Sequence, residues 1–219
     1  MGLRQVVLSC SAVLLIVGSY GCAKPFLQSF VNAKELYRSE HIPEEVLQGG
    51  RMAILNATVS TGQEEYRRLL GDILEETIEA QKKEILIIRS GETLSLINKA
   101  GLAGDYARMM RDYAYTGVLD RSVLQKIGEA LNASFVAQPR LIKFVQGSST
   151  RFSVFGLTLI KTHESSVKIY LEIWKASTGE VVWSGVGESI MAGENISAKP
   201  IKFEFVARAA SDMLVQKIH

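Results

Sequence analysis

The sequence predicts an α/β fold: a three-layer sandwich of a mixed sheet flanked by helices, with an antiparallel C-terminal hairpin and a terminal helix. Three observations carry that prediction. Tyr66, Leu69, Leu70, Ile73, Leu74 and Ile78 recur at helical spacing between two short apolar runs, 52–59 and 85–88. Val167, Ile169, Leu171 and Ile173 alternate with Lys168, Tyr170, Glu172 and Trp174 just before Ala176-Ser177-Thr178-Gly179. Beyond Pro200, Phe205, Ala209 and Met213 run alongside Val206, Ala210 and Leu214 as a second helical stripe.

Taken in order, residues 22–50 read as a tether that partly folds. It has an amphipathic piece (Phe26, Leu27, Phe30, Val31, Leu36), a breaker at Pro43 and a stop at Gly49-Gly50. The domain proper is expected over 51–219. Its first strand is 52–59, ended by Thr61-Gly62, and a helix over about 63–82 follows. The run 85–88 is too short for a helix and suits a buried strand parallel to the first, which makes a βαβ unit. Three helices come next. Leu94, Leu96 and Ile97 mark one ended by Gly101; Tyr106, Met109, Met110 and Tyr113 mark another; Val123, Leu124, Ile127 and Leu131 mark a third behind an Asp120 cap. The chain then returns to strand over 135–146. Pro139 cannot donate to a ladder, so that strand is expected at an edge or bulged. In the hairpin, Gly179 supplies the positive φ of the turn and 181–191 returns.

Composition narrows the function. The chain has 219 residues, 47% hydrophobic, and a net charge of +2 with cations and anions interspersed, so nucleic-acid binding is excluded as a leading role. Such a length buries a core without disulfides or a structural metal. His41, His163 and His219 lie far apart and none has a second ligand at metal spacing. No Gly-x-Ser-x-Gly elbow, P-loop or HExxH occurs. Gly185-Val186-Gly187 lacks the third glycine of a dinucleotide fingerprint and reads as a strand under close packing. Glu75 and Glu76, beside Thr77 and Glu79, read as a solvated helix face, and Tyr106, Met109, Met110 and Tyr113 as helix core. No catalytic residue, cofactor or metal is therefore expected. Trp174 and Trp183 read either as a cross-strand aromatic pair or as a patch that docks a partner.

The N-terminus carries the sharpest address. Arg4 begins a short basic region, an apolar stretch runs over 6–17, and Gly18, Ser19 and Gly21 are small, which is the pattern of a signal peptide over 1–21. Ser19-Tyr20-Gly21-Cys22 resembles the bacterial lipobox, in which the cysteine becomes the acylated N-terminus. Ser19 stands where that motif usually has Leu, and Tyr20 where it has a small residue. Ordinary cleavage near Gly21 is the alternative. Once Cys10 leaves with the signal, Cys22 has no intramolecular partner, which also suits acylation. Ala23 and Lys24 follow it in place of the Asp common in lipoproteins kept at the inner membrane, so the resemblance implies the periplasmic face of the outer membrane. Membrane attachment would then run through the lipid.

Two segments carry a family resemblance. Leu119-Asp-Arg-Ser-Val-Leu-Gln-Lys-Ile-Gly-Glu-Ala-Leu-Asn-Ala-Ser-Phe-Val136 is similar to the helix-to-strand passage of a periplasmic domain. That domain is shared by curli secretion channel subunits and the outer-membrane lipoprotein activators of penicillin-binding proteins. Val167-Lys-Ile-Tyr-Leu-Glu-Ile-Trp-Lys-Ala-Ser-Thr-Gly-Glu-Val-Val-Trp183 resembles the same family's hairpin. The resemblance implies a non-enzymatic lipoprotein that binds an envelope protein. Its alternative is a homo-oligomeric secretion pore, for which 152–160 is the one surplus segment of membrane-strand length. The expected contact surface is 146–166 with the loop 193–199: Arg151, Phe152, Phe155, Lys161 and His163, joined by Trp174 and Trp183.

Overall fold

A computed structural model describes residues 26–40, 50–154, 157–195 and 200–218, with the side chains of all of these except 26, 27, 149–154, 157–161, 194 and 195. The expected signal peptide, Cys22 and Phe155 lie outside the described residues. The elements are β1 (Phe26–Arg38), β2 (Arg51–Ile54), β3 (Thr58–Val59), α1 (Tyr66–Gln81), β4 (Leu86–Ile88), α2 (Ser90–Lys99), α3 (Ala103–Thr116), α4 (Arg121–Leu131), β5 (Phe135–Val154), β6 (Leu157–Lys175), β7 (Glu180–Asn195) and α5 (Phe203–Val215).

The mixed sheet runs β1-β7-β6-β5-β2-β4, with β3 also pairing β5. β2 and β4 are parallel across α1, as the βαβ pattern predicts, and β5 joins β2 in parallel. Everything from β5 to β1 is antiparallel. One face packs against α1 and α5 through Leu70, Leu74, Ile78, Val206, Ala210 and Leu214 over Ile169, Leu171 and Ile173. The other packs against α2, α3 and α4 through Ile97, Met109, Tyr113, Leu124 and Ile127 over Ala53, Leu55, Val136 and Trp174. Two dry layers on one sheet are the three-layer sandwich. The stripe of Met109 and Tyr113 is helix core.

Several expectations are corrected. Residues 26–38 are no tether but the edge strand of the sheet, so the folded domain begins at least at Phe26. The run 52–59 is two strands, broken at 55–57, and both pair β5. Pro139 is neither at an edge nor at a bulge. It lies in the sheet interior, opposite that break, where no strand residue is present to accept an N–H. Its carbonyl takes the Gln138 amide at 2.7 Å instead. The segment 152–160 is not one strand: β5 ends at Val154, and Leu157, its pairing partner, opens β6. In α5 the buried side is Phe203, Val206, Ala207, Ala210 and Leu214, because the helix starts at Phe203, and this leaves Phe205 exposed and Met213 half-buried.

Glycines set how closely α5 lies on the sheet. A Cβ on Gly187 would sit 2.6 Å from the Ala210 carbonyl oxygen, and one on Gly185 2.6 Å from the Trp183 ring. Gly179, with φ of 71°, makes the β6–β7 turn as expected.

Candidate functional site

The two tryptophans do not form a site. Between Ile173 and Trp174 the β6–β7 register shifts, because Val182 is an extra residue on β7. A bulge of one residue moves the side chains beyond it to the other face. Trp174 therefore points into the α2–α4 layer at 4% exposure and Trp183 into the α5 layer at 1%. Neither the aromatic pair nor the exposed patch expected from the sequence is present. Trp183 instead donates from Nε1 to Glu35 Oε2 at 2.9 Å, which fastens β1 to β7.

Beneath α3 the sheet carries a polar cluster. Tyr113 donates to Glu172 Oε2 at 2.6 Å, and Tyr170 to Glu172 Oε1 at 3.2 Å. Arg140 donates from Nη2 to the Tyr113 hydroxyl at 2.7 Å, and its guanidinium lies 5.0 and 5.3 Å from the Tyr113 and Tyr170 ring centroids. Burial first, then the adjoining Glu172 carboxylate, hold the Tyr113 hydroxyl well above the ordinary tyrosine range. Burial likewise raises Tyr170. Both phenols thus stay protonated at neutral pH and act as donors, and the cluster clasps α3 to β5 and β6. The alternation of Tyr170, Glu172 and Trp174 was the signal for it: three large side chains on one face of a strand need cover.

Glu75 is a second correction. It is 2% exposed, and its Oε1 accepts the Ser90 backbone N–H at 2.8 Å, while Arg89 at the N-cap of α2 offers no side-chain cap. The carboxylate serves as a cap lent by a neighbouring helix. Glu76 does face solvent, where Arg208 bonds it at 2.6 Å.

The remaining predicted residues gather at one end of the sheet. There the helical cover stops at an aromatic triangle of Tyr66, Phe144 and Phe203, with centroids 4.6 to 5.1 Å apart. The Ile201 carbonyl accepts from Gln146 Nε2 at 2.7 Å and from Ser165 Oγ at 2.8 Å, tying down the last covered rung. Past that rung β5 and β6 remain paired to Val154 and Leu157. At about 3.3 Å per residue the arm projects about 26 Å. Gly147, Ser148 and Glu164 on it are exposed. The backbone of Arg151, Phe152 and Lys161 belongs to this arm, and His163 stands half-buried at its base, across the ladders from Ser148 and Gly193. The strand register also carries the start of β1 to the arm's base: Phe26 pairs Glu194, Glu194 pairs Thr162, and Thr162 pairs Ser149.

On the sheet face away from α5, the outer strands have no helix over them. Phe30, Leu36, Tyr37 and Ile190 are exposed there, with Lys168 and Glu188 paired across β6 and β7. Sequence reasoning missed this surface, since it had no strand at 26–38.

No family model matches the chain, and no curated protein does. Solved structures similar to it include the PelC dodecamer from Paraburkholderia phytofirmans, at 14% identity over 87% of this chain and 94% of that one, with a TM-score of 0.42. Lipoprotein GNA1162 from Neisseria meningitidis is 12% identical over 68% of this chain and 88% of that one, with a TM-score of 0.44. The LpoB C-terminal domain from Escherichia coli is 14% identical over 65% and 84%, with a TM-score of 0.37. LpoB belongs to the group of envelope lipoproteins that the sequence resembles.

Proposed function

We propose that the chain is a lipoprotein acylated at Cys22, held at the periplasmic face of the outer membrane, where it acts as a protein-binding or assembly module of the cell envelope. The observation that carries this reading is the uncovered β5–β6 arm. An arm that leaves the helical layers behind, joined at its base by β7 and β1 and two-stranded past Lys161, offers backbone edges to a partner. It also leaves the domain at the end where Phe26 begins β1, four residues after Cys22. An anchor there would keep the arm close to the bilayer and raise its effective concentration for a partner in the same layer. Arg151, Phe152, Phe155, Lys161 and His163 are the proposed contact residues. Trp174 and Trp183 leave the set because they are buried.

The arm also bears on the pore alternative. Past the rung where Lys161 still pairs Asn195 of β7, only 151–154 and 157–160 are free of further strands among the described residues, four residues each. A membrane barrel strand needs about 9 to 11. The arm is thus short for a barrel, and the binding reading is preferred.

A photo-crosslinking residue at Ser148 or Glu164, in the full chain in bacterial cells, tests the proposal. The expected product is one crosslinked envelope protein, lost when Arg151, Phe152, Phe155 and Lys161 are all changed to Ser. Labelling that survives those changes, or no product at all, would sink it. A ring of many subunits in mild detergent would put the pore in its place. The anchor has its own test: Cys22→Ser moves the protein from the membrane to the soluble fraction.

A further inference from the structure

β1 is an edge strand of 13 residues, and among the described residues nothing pairs its outer side. Long open edges invite pairing with another chain. The opposite edge, β4, has three residues, so head-to-tail continuation of the sheet could form only a stub. A second β1 offers a full partner. We propose that β1 pairs antiparallel with β1 of a second copy, centred on Ala33, so that two sheets join across a twofold axis.

The register follows from which residues face each other. On the helix-free face β1 presents Gln28, Phe30, Asn32, Lys34 and Leu36, with Phe30 at 56% and Leu36 at 50% exposure. Val31, Ala33 and Glu35 turn partly inward on the α5 side, where Ala33 packs against the core. Side chains on one face stay opposite each other only if the pairing slides in steps of two. Centred on Lys34, the two ammonium groups would meet at the axis. Centred on Asn32, Phe30 faces Lys34 and Leu36 faces Gln28. Centred on Val31, Phe30 faces Asn32 and Lys34 faces Gln28.

Centred on Ala33, Phe30 faces Leu36 of the second copy and Asn32 faces its Lys34, and the twofold repeats both pairs. Apolar side chains then meet apolar ones, each ammonium has an amide oxygen to accept from it, and the small Ala33 pair lies at the axis on the crowded α5 side. Ile190, which is exposed and pairs Phe30 on β7, extends each contact into a row of three: Ile190, Phe30 and Leu36 of the second copy. Directly opposed pairs of this kind are the unit of sheet stabilisation. The twofold uses the β1 edge of both copies, so the two chains close a dimer and do not grow a fibre.

Cysteine crosslinking of the full chain in bacterial membranes tests both the pairing and its register. Opposed residues in an antiparallel pair have Cα atoms about 4.5 to 5.5 Å apart, within disulfide reach. Under mild oxidation Ala33→Cys is expected to give a disulfide-linked dimer, with the wild-type chain and Leu86→Cys, on the exposed far edge, as backgrounds. Phe30→Cys and Leu36→Cys chains carrying different tags are expected to link to each other when made together, and neither to itself. Adding Phe30→Lys should remove the Ala33→Cys dimer, with the fold of that variant checked by circular dichroism. The proposal is overturned if Ala33→Cys gives no more dimer than Leu86→Cys, if the dimer survives Phe30→Lys, or if the linked chain is another protein. Serine changes in the β5–β6 arm leave the Ala33→Cys product unaltered, so loss of the arm's partner and loss of this dimer are read apart.

Discussion

The Tyr113 hydroxyl donates to the Glu172 carboxylate at 2.6 Å, joining the third helix to the middle of the sheet. Tyr113→Phe keeps the ring under Arg140 but leaves Glu172 one donor short. A hydrogen bond to a charged group is worth about 1.5 to 3 kcal/mol, so urea unfolding should show a loss of about 2 kcal/mol at neutral pH. The pH dependence has a definite sign. The folded phenol titrates above the ordinary tyrosine range, so the unfolded chain ionises first. This contribution is complete below about pH 10 and declines as pH rises beyond it. Wild type should lose stability there faster than Tyr113→Phe. Parallel curves would contradict the assignment.

Glu75 caps a helix that has no cap of its own. Glu75→Leu fits an apolar setting but strands the Ser90 N–H, at a cost of about 1 to 3 kcal/mol, whereas Glu75→Gln retains an acceptor and should lose less. Faster amide exchange in 90–93 of the Leu variant would locate the damage. Equal loss in both variants would show that the cap is not the cause.

Gly187→Ala places a Cβ 2.6 Å from a backbone oxygen of the last helix, which no side-chain rotation can relieve. Overpacking of this kind costs about 1 to 3 kcal/mol. Thermal melting should show the loss, and Gly91→Ala, where nothing lies within 4 Å, provides the control.

Asp120 accepts from Ser122 Oγ at 2.6 Å and from the Val123 N–H at 3.0 Å, and these bonds lower its carboxyl below the usual range. Asp120→Ala should cost about 1 kcal/mol. A depressed carboxylate contributes fully above its unfolded pKa of about 3.9 and loses that contribution as pH falls through the folded value. The gap between Asp120→Ala and wild type should accordingly close in acid. A gap constant to pH 2 would argue for a packing role.

The parts of the fold that were legible in the sequence are those written in local periods. The α1 stripe, the Asp120 cap and the Gly179 turn each lie within a few residues of one another, and all are present as expected. What escaped was set by distant partners. Phe26, Leu27, Phe30 and Val31 have helical spacing, yet β7, at the far end of the chain, draws them into a strand. Glu75 looked solvated because Ser90, the group that buries it, belongs to another helix. Trp183 was misplaced by a single extra residue, Val182, that no alternation announces. The arm was half legible: 146–166 stood out as a surface, but the pairing of Val154 with Leu157 did not.

The pairing of β1 with β7 also orders events in time. Phe30 must wait for Ile190, and α5 must wait for Gly187 on the same late strand. Contacts this remote in sequence are slow to close. Until then the first strand is a bare apolar ribbon open to pairing or cleavage. A chain cut before Phe203 keeps β7 for β1 to pair but leaves Ile169, Leu171 and Ile173 without the cover of α5, so the terminal helix marks each molecule as finished, and fragments lacking it should be cleared where the whole protein persists.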